Sequence, residues 1–427
     1  MSEPEQDRQL WPAPTTERAV DATIALPGSK SITNRALPLA ALADGPTIVR
    51  GALRSRDTDL MVAGLRALGV HVDDSGDDWS VVPAALRGPA DIDCGLAGTV
   101  ARFLVSVAGL AEGTVRFDGD PRIRERPMRP LLDGLQQLGV RIDDDGRRAL
   151  PLTVLGTGEL PGGECTIDSS SSSQFISALL LAAPRASAPV VVRHVGPALP
   201  SMPHIEMTVA MLRERGVVVD DTERDTWRVE PGPILGSTID VEPDLSNAAP
   251  FLAAALVTGG TVRIPHWPVQ PLQAGDAICR LLTQLGAHIT VDGHGLTISG
   301  TGAIHGVDKD LRDTSELVPT IAVLAALADR PSTLRGIGHM RGHETDRLAA
   351  LAKEINGLGG DVTETPDALH INPKPLHGGV FGTYHDHRLA TAAAVLGLAV
   401  PGVVVENIAT TAKTMPTFVD LWSTLLS

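Results

Sequence analysis

Cysteine and aromatic residues are scarce in this chain of 427 residues, and their scarcity excludes several classes of protein. The three cysteines, Cys94, Cys165 and Cys279, form no CxxC pair. That spacing argues against a disulfide framework and a zinc site, and it favours a reducing compartment. Aromatic residues make up only 3% of the chain, which leaves few rings on which unpaired bases could stack.

Positive charge is also in short supply. The chain has 36 lysines and arginines against 51 aspartates and glutamates, which gives a formal net charge of -15. Because such a chain repels a phosphate backbone, we do not expect a nucleic acid as its partner.

Long apolar runs are missing as well. The longest, residues 389–405, is broken by Pro401 and Gly402, and the N-terminal MSEPEQDRQLWPAP has neither the basic nor the apolar region of a signal peptide. With 43% hydrophobic and 20% charged residues, the composition is that of a folded protein. We therefore expect a cytoplasmic globular protein with no membrane partner.

Two markers recur along the chain and indicate an internal repeat. The first is a helix-like stretch that ends in glycine before an alternating strand, with the glycines at 69, 139, 216, 286 and 359. The second is a short strand after a glycine or proline turn, seen six times from PTIVRG at residue 46 to GVVVENI at residue 402. A glycine just past a helix is the expected C-cap. Together the markers predict six units of about 70 residues.

Each unit opens with a short strand, a polar loop and an apolar helix, as in TIALPGSKSITNRAL and TIDVEPDLSNAAPFL. The predicted fold class is therefore α/β, with six βαβαββ units in two domains of three. The predicted first domain is 22–237, and the second is 1–21 plus 238–427, with EPGPILG at 230–236 as the linker candidate. The sixth unit ends without its closing strands, so we expect residues 1–21 to complete it and two chain crossings to form a hinge.

The loops before the helices point to an anionic ligand. A helix N-terminus presents unpaired N–H groups and a positive dipole end, so six of them led by Ser, Thr, Asp or Gly are potential anion sites. The dipole disfavours cations there, yet Lys30, Arg347 and Arg388 occupy such positions, and Lys413 lies in a similar loop. One such residue could be a solvated surface charge, but the whole set predicts a small polyanionic ligand.

Other site types fit the residues less well. PGSKS lacks the glycine of a phosphate-binding P-loop, because Ser29 stands in its place. The chain has no GxSxG motif for a serine nucleophile. His385, Asp386 and His387 could ligate a metal, but adjacent residues at a helix entry rarely converge, so no metal site is predicted.

Seven motifs resemble, in order along nearly the whole chain, those of the 5-enolpyruvylshikimate-3-phosphate synthase family. They are LPGSKSITNRAL, GLAGTVARF, GDPRIRERPM, SSSQF, RGHETDRL, YHDHRLA and TTAKTMP. The resemblance implies two domains of three repeats that close like a clamshell, a monomer, and no cofactor. It also implies transfer of the enolpyruvyl group of phosphoenolpyruvate to the 5-hydroxyl of shikimate 3-phosphate, with release of phosphate, in the shikimate pathway to chorismate and aromatic amino acids.

The resemblance also assigns residues to the two anionic substrates. For shikimate 3-phosphate it implies Lys30, Ser31, Arg35, Ser172, Ser173, Gln174, Ser201, Glu316 and His343. For phosphoenolpyruvate it implies Lys30, Gly98, Arg126, Gln174, Arg347, Arg388 and Lys413. The implied catalytic residues are Lys30, Glu316 as a candidate base and Glu344 as a candidate proton donor. Without the resemblance, Glu316 could instead be a helix N-cap charge, and Glu344 could complement a helix dipole.

Some residues depart from the family pattern. Many relatives have Asp at Glu316, Lys at His343, Asn at His339 and Pro at Phe103, and the last change could alter sensitivity to the inhibitor glyphosate. Three rival functions stay open. They are an enolpyruvyl transferase acting on UDP-N-acetylglucosamine, whose reactive loop cysteine has no counterpart in GDPRIRERPM, a non-catalytic anion-binding protein, and a nucleic-acid end-processing enzyme, which the net charge disfavours.

Overall fold

The computed structural model describes residues 9–427, which form two compact units. One unit comprises residues 28–242, and the other comprises residues 9–27 together with 243–427. Residues 1–8, which the sequence analysis assigned to the second domain, lie outside the described residues.

The described chain begins with two strands of the discontinuous unit, β1 (Leu10–Pro12) and β2 (Asp21–Thr23), and then enters the unit of residues 28–242. The elements of repeat one are α1 (Lys30–Ala41), β3 (Thr47–Arg50), α2 (Arg56–Ala67), β4 (His71–Asp73) and β5 (Trp79–Val82). Those of repeat two are β6 (Ala90–Asp93), α3 (Gly98–Ala108), β7 (Glu112–Asp118), α4 (Pro121–Glu125), α5 (Arg129–Gln137), β8 (Ile142–Asp143) and β9 (Leu152–Thr157). Those of repeat three are β10 (Gly163–Ile167), α6 (Gln174–Ala182), β11 (Val190–His194), α7 (Met202–Arg213), β12 (Val219–Asp220) and β13 (Thr226–Val229), before strand β14 (Thr238–Asp240).

Three further repeats follow in the discontinuous unit. The elements of repeat four are α8 (Ala249–Thr258), β15 (Thr261–Pro265), α9 (Gly275–Gln284), β16 (His288–Asp292) and β17 (Gly295–Ser299). Those of repeat five are β18 (Asp308–Asp310), the 3-10 helix Arg312–Leu317, α10 (Val318–Ala326), β19 (Ser332–Arg335), the 3-10 helix Gly338–Gly342, α11 (Arg347–Gly357), β20 (Asp361–Glu364) and β21 (Ala368–Asn372). Those of repeat six are β22 (Gly379–Phe381), α12 (His387–Ala399), β23 (Val403–Glu406), the 3-10 helix Ile408–Lys413 and α13 (Phe418–Leu425).

Each repeat contributes to one small sheet of a constant pattern. In repeat two, β6 pairs in parallel with β7, β7 pairs antiparallel with β9, and β9 pairs antiparallel with β8. The same order recurs in five four-stranded sheets, and repeat six has a three-stranded one. This pattern confirms the predicted α/β class with six βαβαββ units.

The opening strands of repeats one and four are exchanged, which corrects the sequence prediction. Strand β2 was expected to open repeat one, but it pairs in parallel with β15 of repeat four. Strand β14 was expected to open repeat four, but it pairs in parallel with β3 of repeat one. Both strands have the same short alternating pattern, so their sequence alone does not choose between the two sheets.

The chain therefore passes between units after these strands, at residues 27/28 and 242/243. The expected first domain of residues 22–237 started and ended a few residues earlier. The linker candidate 230–236 lies inside the unit of residues 28–242, where Ile234 is fully buried and accepts a hydrogen bond from the Asp44 N–H. Its Pro and Gly residues mark a largely exposed loop within this unit rather than a connection between units.

The N-terminal strand β1 adds to the sheet of repeat six, where it pairs antiparallel with β23 in the register Trp11 to Val405. This is the position that the sequence analysis gave to the N-terminal segment. The last helix of the repeat packs Phe418 and Trp422 against Phe251, with their ring centroids 5.8 and 5.6 Å from that of Phe251.

The first helix of each repeat is far more buried than the second. All eleven residues of α3 are buried, whereas only four of the ten residues of α9 are. A helix that is apolar on every side belongs in the interior of its unit. Within residues 9–427, none of these helices is long and apolar enough to cross a membrane.

The five glycines that marked the repeat all have positive φ, between 79° and 110°. Each lies two or three residues past the end of a helix, where the left-handed backbone favours glycine. The sequence prediction of helix C-caps at these positions is confirmed.

Candidate active site

In the unit of residues 28–242, three helices begin at predicted binding residues and a fourth begins directly after one. Helix α1 begins at Lys30, α3 at Gly98 and α6 at Gln174, while Ser201 precedes α7 in a left-handed conformation with φ 52°. Side chains join the starts of these helices, because Asn34 of α1 donates to Thr99 Oγ1 of α3 at 2.8 Å. The starts of α1 and α3, where backbone N–H groups lack partners within the helix, therefore lie together in this unit.

Lys30 follows the helix cap Ser29, whose hydroxyl accepts from the Ile32 N–H. Its ammonium lies 3.2 Å from Asp57 Oδ2, at the start of helix α2. The Asp57 side chain is 3% exposed and that of Lys30 is 18% exposed, so the buried carboxylate holds an ammonium that solvent still reaches. The dipole at the start of α1 opposes this cation, and Asp57 offsets that opposition.

Arg35 is 1% exposed, and its guanidinium donates to protein atoms at all three nitrogens. The acceptors are Thr208 Oγ1 at 2.7 Å, the Ser31 carbonyl at 2.9 Å, Ser177 Oγ at 3.3 Å and the His204 carbonyl at 3.0 Å. The structure thus uses Arg35 to join α1 to α6 and α7, and these contacts fix the position of Ser31.

The SSSQF loop is closed by its own hydrogen bonds. Ser169 Oγ donates to the Ser172 carbonyl at 2.6 Å, and Ser173, which is 3% exposed, is the N-cap residue of α6. Arg102 of α3 donates to Ser172 Oγ at 3.2 Å and to Gln174 Oε1 at 2.8 Å. This arginine lies inside the GLAGTVARF motif, but sequence reasoning gave it no role.

Gly98 lies directly against Arg126. The Arg126 guanidinium donates to the Leu96 carbonyl at 3.3 Å, and a Cβ added to Gly98 would stand 2.9 Å from Arg126 Nη2. No other residue fits there without displacing the guanidinium. The close approach of Arg126 therefore favours glycine at this position, for which the sequence analysis gave only a role in binding phosphoenolpyruvate.

In the other unit, Arg347 is the centre of a buried ion-pair network. Its Nε and Nη2 donate to the two oxygens of Asp386 at 2.7 and 3.1 Å, and Nη2 also donates to Glu344 Oε2 at 3.0 Å. Burial opposes the charged guanidinium, but Asp386, Glu344 and Glu316 outweigh it and raise the pKa of Arg347. Arg347 is 2% exposed and remains a cation.

Glu344 joins this network to Lys413. Lys413 Nζ donates to Glu344 Oε1 at 2.6 Å, while the second carboxylate oxygen accepts from Arg347. The side chains of Lys413 and Glu344 are both at most 10% exposed. The carboxylate thus bridges two predicted phosphoenolpyruvate-binding cations that are 66 positions apart in sequence.

Arg388 belongs to the same cluster. Its guanidinium donates to the Ser246 hydroxyl at 2.8 Å and to the Ser246 carbonyl at 3.3 Å, and its own N–H is capped by Asp386. Burial and the positive charge of Arg347 lower the pKa of Arg388 despite the nearby carboxylates. An added anion would relieve this repulsion.

Glu316 lies in the 3-10 helix before α10, close enough for its charge to act on Arg347, Arg388 and His339. His343 Nδ1 is 3.2 Å from Arg347 Nη1, and the rings of His339 and His343 are 5.6 Å apart. Burial lowers the pKa of His339, although Glu316 opposes the shift. All the predicted residues of this unit therefore belong to one cluster.

One sequence expectation about the loops needs correction. Among the six first helices, only α1 and α12 are capped by a side-chain hydrogen bond, from Ser29 and Asp386. Ala97 and Ala248 precede α3 and α8 instead, so backbone N–H groups there face no polar cap. Asp386 is occupied by Arg347, and residues 9–427 contain no group of three or more His, Cys, Asp or Glu placed to hold a metal.

The cysteines are unsuited to nucleophilic chemistry. Cys94 and Cys165 are buried, and burial raises the pKa of both thiols, that of Cys165 to about 12. A thiolate, the reactive form, is therefore disfavoured at both positions.

Comparison with known proteins gives the family. The family model of EPSP synthase (3-phosphoshikimate 1-carboxyvinyltransferase) matches residues 14–422. The chain belongs to the EPSP synthase family. The resemblance stated from the seven motifs is thereby confirmed.

Individual relatives of this EPSP synthase family member agree with that assignment. A 3-phosphoshikimate 1-carboxyvinyltransferase from Kocuria rhizophila is 56% identical over 429 residues, covering 98% of this chain and 96% of the relative. An EPSP synthase structure from Acinetobacter baumannii has a TM-score of 0.81 at 26% identity, covering 97% of this chain and 98% of that one. The enolpyruvyl transferase NikO from Streptomyces tendae, at 18% identity and a TM-score of 0.77, covers 98% and 97% and shares the fold.

The sequence analysis named the cations of this EPSP synthase family member but missed residues that contact those cations or the neighbouring binding loop. The missed residues are Asp57, Arg102, Ser246 and Asp386. Asp386 stood inside YHDHR, where its place before a helix signalled a cap. Asp57 and Ser246 had no signal, because each meets its partner only through the fold.

Proposed function

We propose that this chain transfers the enolpyruvyl group of phosphoenolpyruvate to the 5-hydroxyl of shikimate 3-phosphate and releases phosphate. The observation that carries the proposal is the cluster of Arg347, Arg388 and Lys413 with Glu316 and Glu344, in a member of the EPSP synthase family. Arg347 and Lys413 are buried. Three cations in one low-dielectric place suit the carboxylate and phosphate of a small anion.

The unit of residues 28–242 supplies the groups that we assign to shikimate 3-phosphate. Ser172, Ser173 and Gln174 stand at the start of α6 and Ser201 at the start of α7, and the start of a helix suits a phosphate. Lys30 adds a partly exposed ammonium beside Ser31. We assign Arg35 an indirect role, because its donors already hold Ser31 and the neighbouring helices.

For phosphoenolpyruvate we assign Lys30, Gly98, Arg126 and Gln174 from this unit, with Arg347, Arg388 and Lys413 from the other. Arg347 is oriented by two bonds to Asp386, so it can present a fixed charge without reorganising. Because Gly98 has no side chain, the Arg126 guanidinium can lie directly against it.

The acid and base roles fall to the carboxylates. In the addition step the 5-hydroxyl oxygen attacks C2 of phosphoenolpyruvate and loses its proton, for which Glu316 is the assigned base, while C3 gains a proton. In the elimination step C3 loses a proton and phosphate leaves, which restores the double bond. Glu344 and Lys413 are 2.6 Å apart, so one proton can pass between them on its way to and from C3.

Phosphate release tests the proposal directly. Purified protein would be incubated with phosphoenolpyruvate, with and without shikimate 3-phosphate, in the presence and absence of a metal chelator. Release that requires both substrates and is unchanged by chelator is the expected result. Release from phosphoenolpyruvate and UDP-N-acetylglucosamine instead would assign the rival transferase activity, and binding without release from either acceptor would indicate an anion-binding protein.

A further inference from the structure

Arg102 is buried where two predicted binding loops meet. Its side chain is packed on the ring of Phe175, with Cζ 4.8 Å from the centroid, and the residue is 3% exposed. One terminal nitrogen donates to both Ser172 and Gln174, and the other donates to the Pro127 carbonyl at 3.0 Å, directly after Arg126. The guanidinium therefore touches loops assigned to both substrates.

The contact with Gln174 determines which way its amide faces. A guanidinium has only donors, so the atom 2.8 Å from Arg102 Nη1 must be the amide oxygen. The Gln174 NH2 group then points away from Arg102, and residues 9–427 provide no side-chain or backbone acceptor for it. The half-buried Gln174 is left with donors for a bound molecule.

The contact with Ser172 has the same consequence. Ser172 Oγ accepts from Arg102 Nη1 at 3.2 Å and from the Gln174 N–H at 3.3 Å. A hydroxyl has two lone pairs and one hydrogen, so both acceptor positions are filled. Only the O–H remains, and it can only donate.

We propose that Arg102 is a positioning residue that turns the 172–174 loop into a set of donors, and so makes the loop select an anion. Serine and glutamine can donate or accept, whereas an ionised phosphate or carboxylate offers only acceptors. Orienting both side chains in advance removes the reorganisation that binding would otherwise require. The proposal rests on the proposed function, because it takes shikimate 3-phosphate as the anion.

The first test compares Arg102→Gln and Arg102→Lys with Arg116→Gln, which removes the same charge from an exposed position on β7 of the same unit. Titration calorimetry would measure binding of shikimate 3-phosphate and of shikimate, which lacks the phosphate. We expect both Arg102 variants to lose roughly tenfold to a hundredfold in affinity for shikimate 3-phosphate and little for shikimate. Arg116→Gln should bind both like the wild type.

Arg102→Lys separates orientation from charge. Lysine keeps the positive charge, but its single ammonium nitrogen cannot make the contacts to Ser172, Gln174 and Pro127 that the planar guanidinium makes with two nitrogens. Affinity restored to the wild-type value by lysine would mean that charge alone suffices, and would overturn the proposal. Equal losses for shikimate and shikimate 3-phosphate would also overturn it, because they would indicate a merely structural role.

A double-mutant cycle gives a second, independent readout. If Arg102 acts through Gln174, then Arg102→Lys combined with Gln174→Met should weaken shikimate 3-phosphate binding much less than the product of the two single effects. For Arg116→Gln combined with Gln174→Met, the loss in shikimate 3-phosphate affinity should equal the product of the two single losses. Multiplicative losses in the Arg102 pair would contradict the proposal, and the lysine variant keeps the cycle usable if Arg102→Gln does not fold.

The failure of this inference and that of the proposed function are distinguishable. If the wild-type protein releases no phosphate when both substrates are present, the proposed function is refuted. If the wild type turns over both substrates but the Arg102 variants bind shikimate 3-phosphate as tightly as the wild type does, only the role of Arg102 is refuted.

Discussion

The two units hold their cations in different ways. In residues 28–242, Arg102 and Arg126 donate to carbonyl, hydroxyl and amide oxygens, and the partly exposed Lys30 lies beside the carboxylate of Asp57. In residues 243–427, Arg347 and Lys413 are each bonded to buried carboxylates, and Glu344 serves both. A neutral acceptor orients a cation without neutralising its charge, whereas shared carboxylates build a network that can also move a proton.

This difference predicts that substitutions in the first unit act mainly on anion binding. In the second unit they should act on stability and on proton transfer as well. The following experiments test that contrast, beginning with the largest expected effect.

Lys30→Met should abolish turnover while the fold is retained. The change removes the one cation assigned to both substrates, and we expect a loss in kcat/KM of at least about a thousandfold. Steady-state kinetics with circular dichroism would measure both properties. Lys374→Met, at an exposed position paired with Asp361, is the control and should be unaffected. Activity of Lys30→Met near that of the wild type would contradict the assignment.

Glu316→Ala should reduce kcat by roughly a hundredfold to ten-thousandfold, the usual range for loss of a general base. Binding of shikimate 3-phosphate, measured by calorimetry, should change far less. Glu159→Ala, in an exposed loop, serves as the control. The reverse pattern, with lost binding and nearly normal kcat, would make Glu316 a binding residue and remove the distinction between the units.

Asp386→Asn should destabilise the chain more than Asp57→Asn. Asparagine can still cap α12, but it leaves the buried Arg347 without its closest counter-charge, at a cost of about 3 kcal/mol or more. Lys30 is partly exposed, so solvent compensates when Asp57 is changed. Urea unfolding would measure the two free energies of unfolding. Equal losses would show that the two kinds of cation site do not differ in stability.

Gly98→Ala should weaken phosphoenolpyruvate binding while leaving shikimate 3-phosphate binding nearly intact. The new methyl group would press on the Arg126 guanidinium at 2.9 Å and displace it. A rise in KM for phosphoenolpyruvate of about tenfold is expected, equivalent to losing one charge-assisted hydrogen bond. Gly45→Ala, where an added Cβ meets nothing within 4 Å, is the matched control. An unchanged KM would mean that Arg126 does not contact this substrate.

His339→Asn should make folding stability less sensitive to acid. Burial lowers the pKa of His339, so as pH falls the unfolded chain is protonated first and stability is lost. The variant lacks this contribution, and its free energy of unfolding should decline less between about pH 7 and about pH 5. His288→Asn, exposed on β16, should keep the wild-type slope. If the free energy of unfolding depends on pH equally in all three proteins, His339 does not contribute to the acid sensitivity of stability.

Much of the fold was predictable because its signals are local. The strand-and-helix order of the repeats follows from hydrophobic period, and Gly69 or Gly286 marks a helix end within a few residues of itself. The cations of the site were predictable for a similar reason, because Lys30, Arg347 and Arg388 stand in short motifs at helix starts.

The partners of those cations were not predictable. Asp57 is 27 positions from Lys30, and Ser246 is 142 positions from Arg388. The role of Arg102 is similarly hidden, because its acceptors in the SSSQF loop are about 70 positions away. A side chain that meets its partner across such distances leaves no pattern in either segment.

The sequence by itself determined six repeats, their helix ends and the identity of the charged residues, because periodicity, capping and charge are properties of short segments. Only the tertiary structure decided that β2 and β14 exchange sheets and that Glu344 joins Lys413 to Arg347. The two strands are nearly interchangeable in sequence, so packing and chain connection choose their sheets. The network around Glu344 exists because three buried charges are stable only where the fold brings opposite signs into contact.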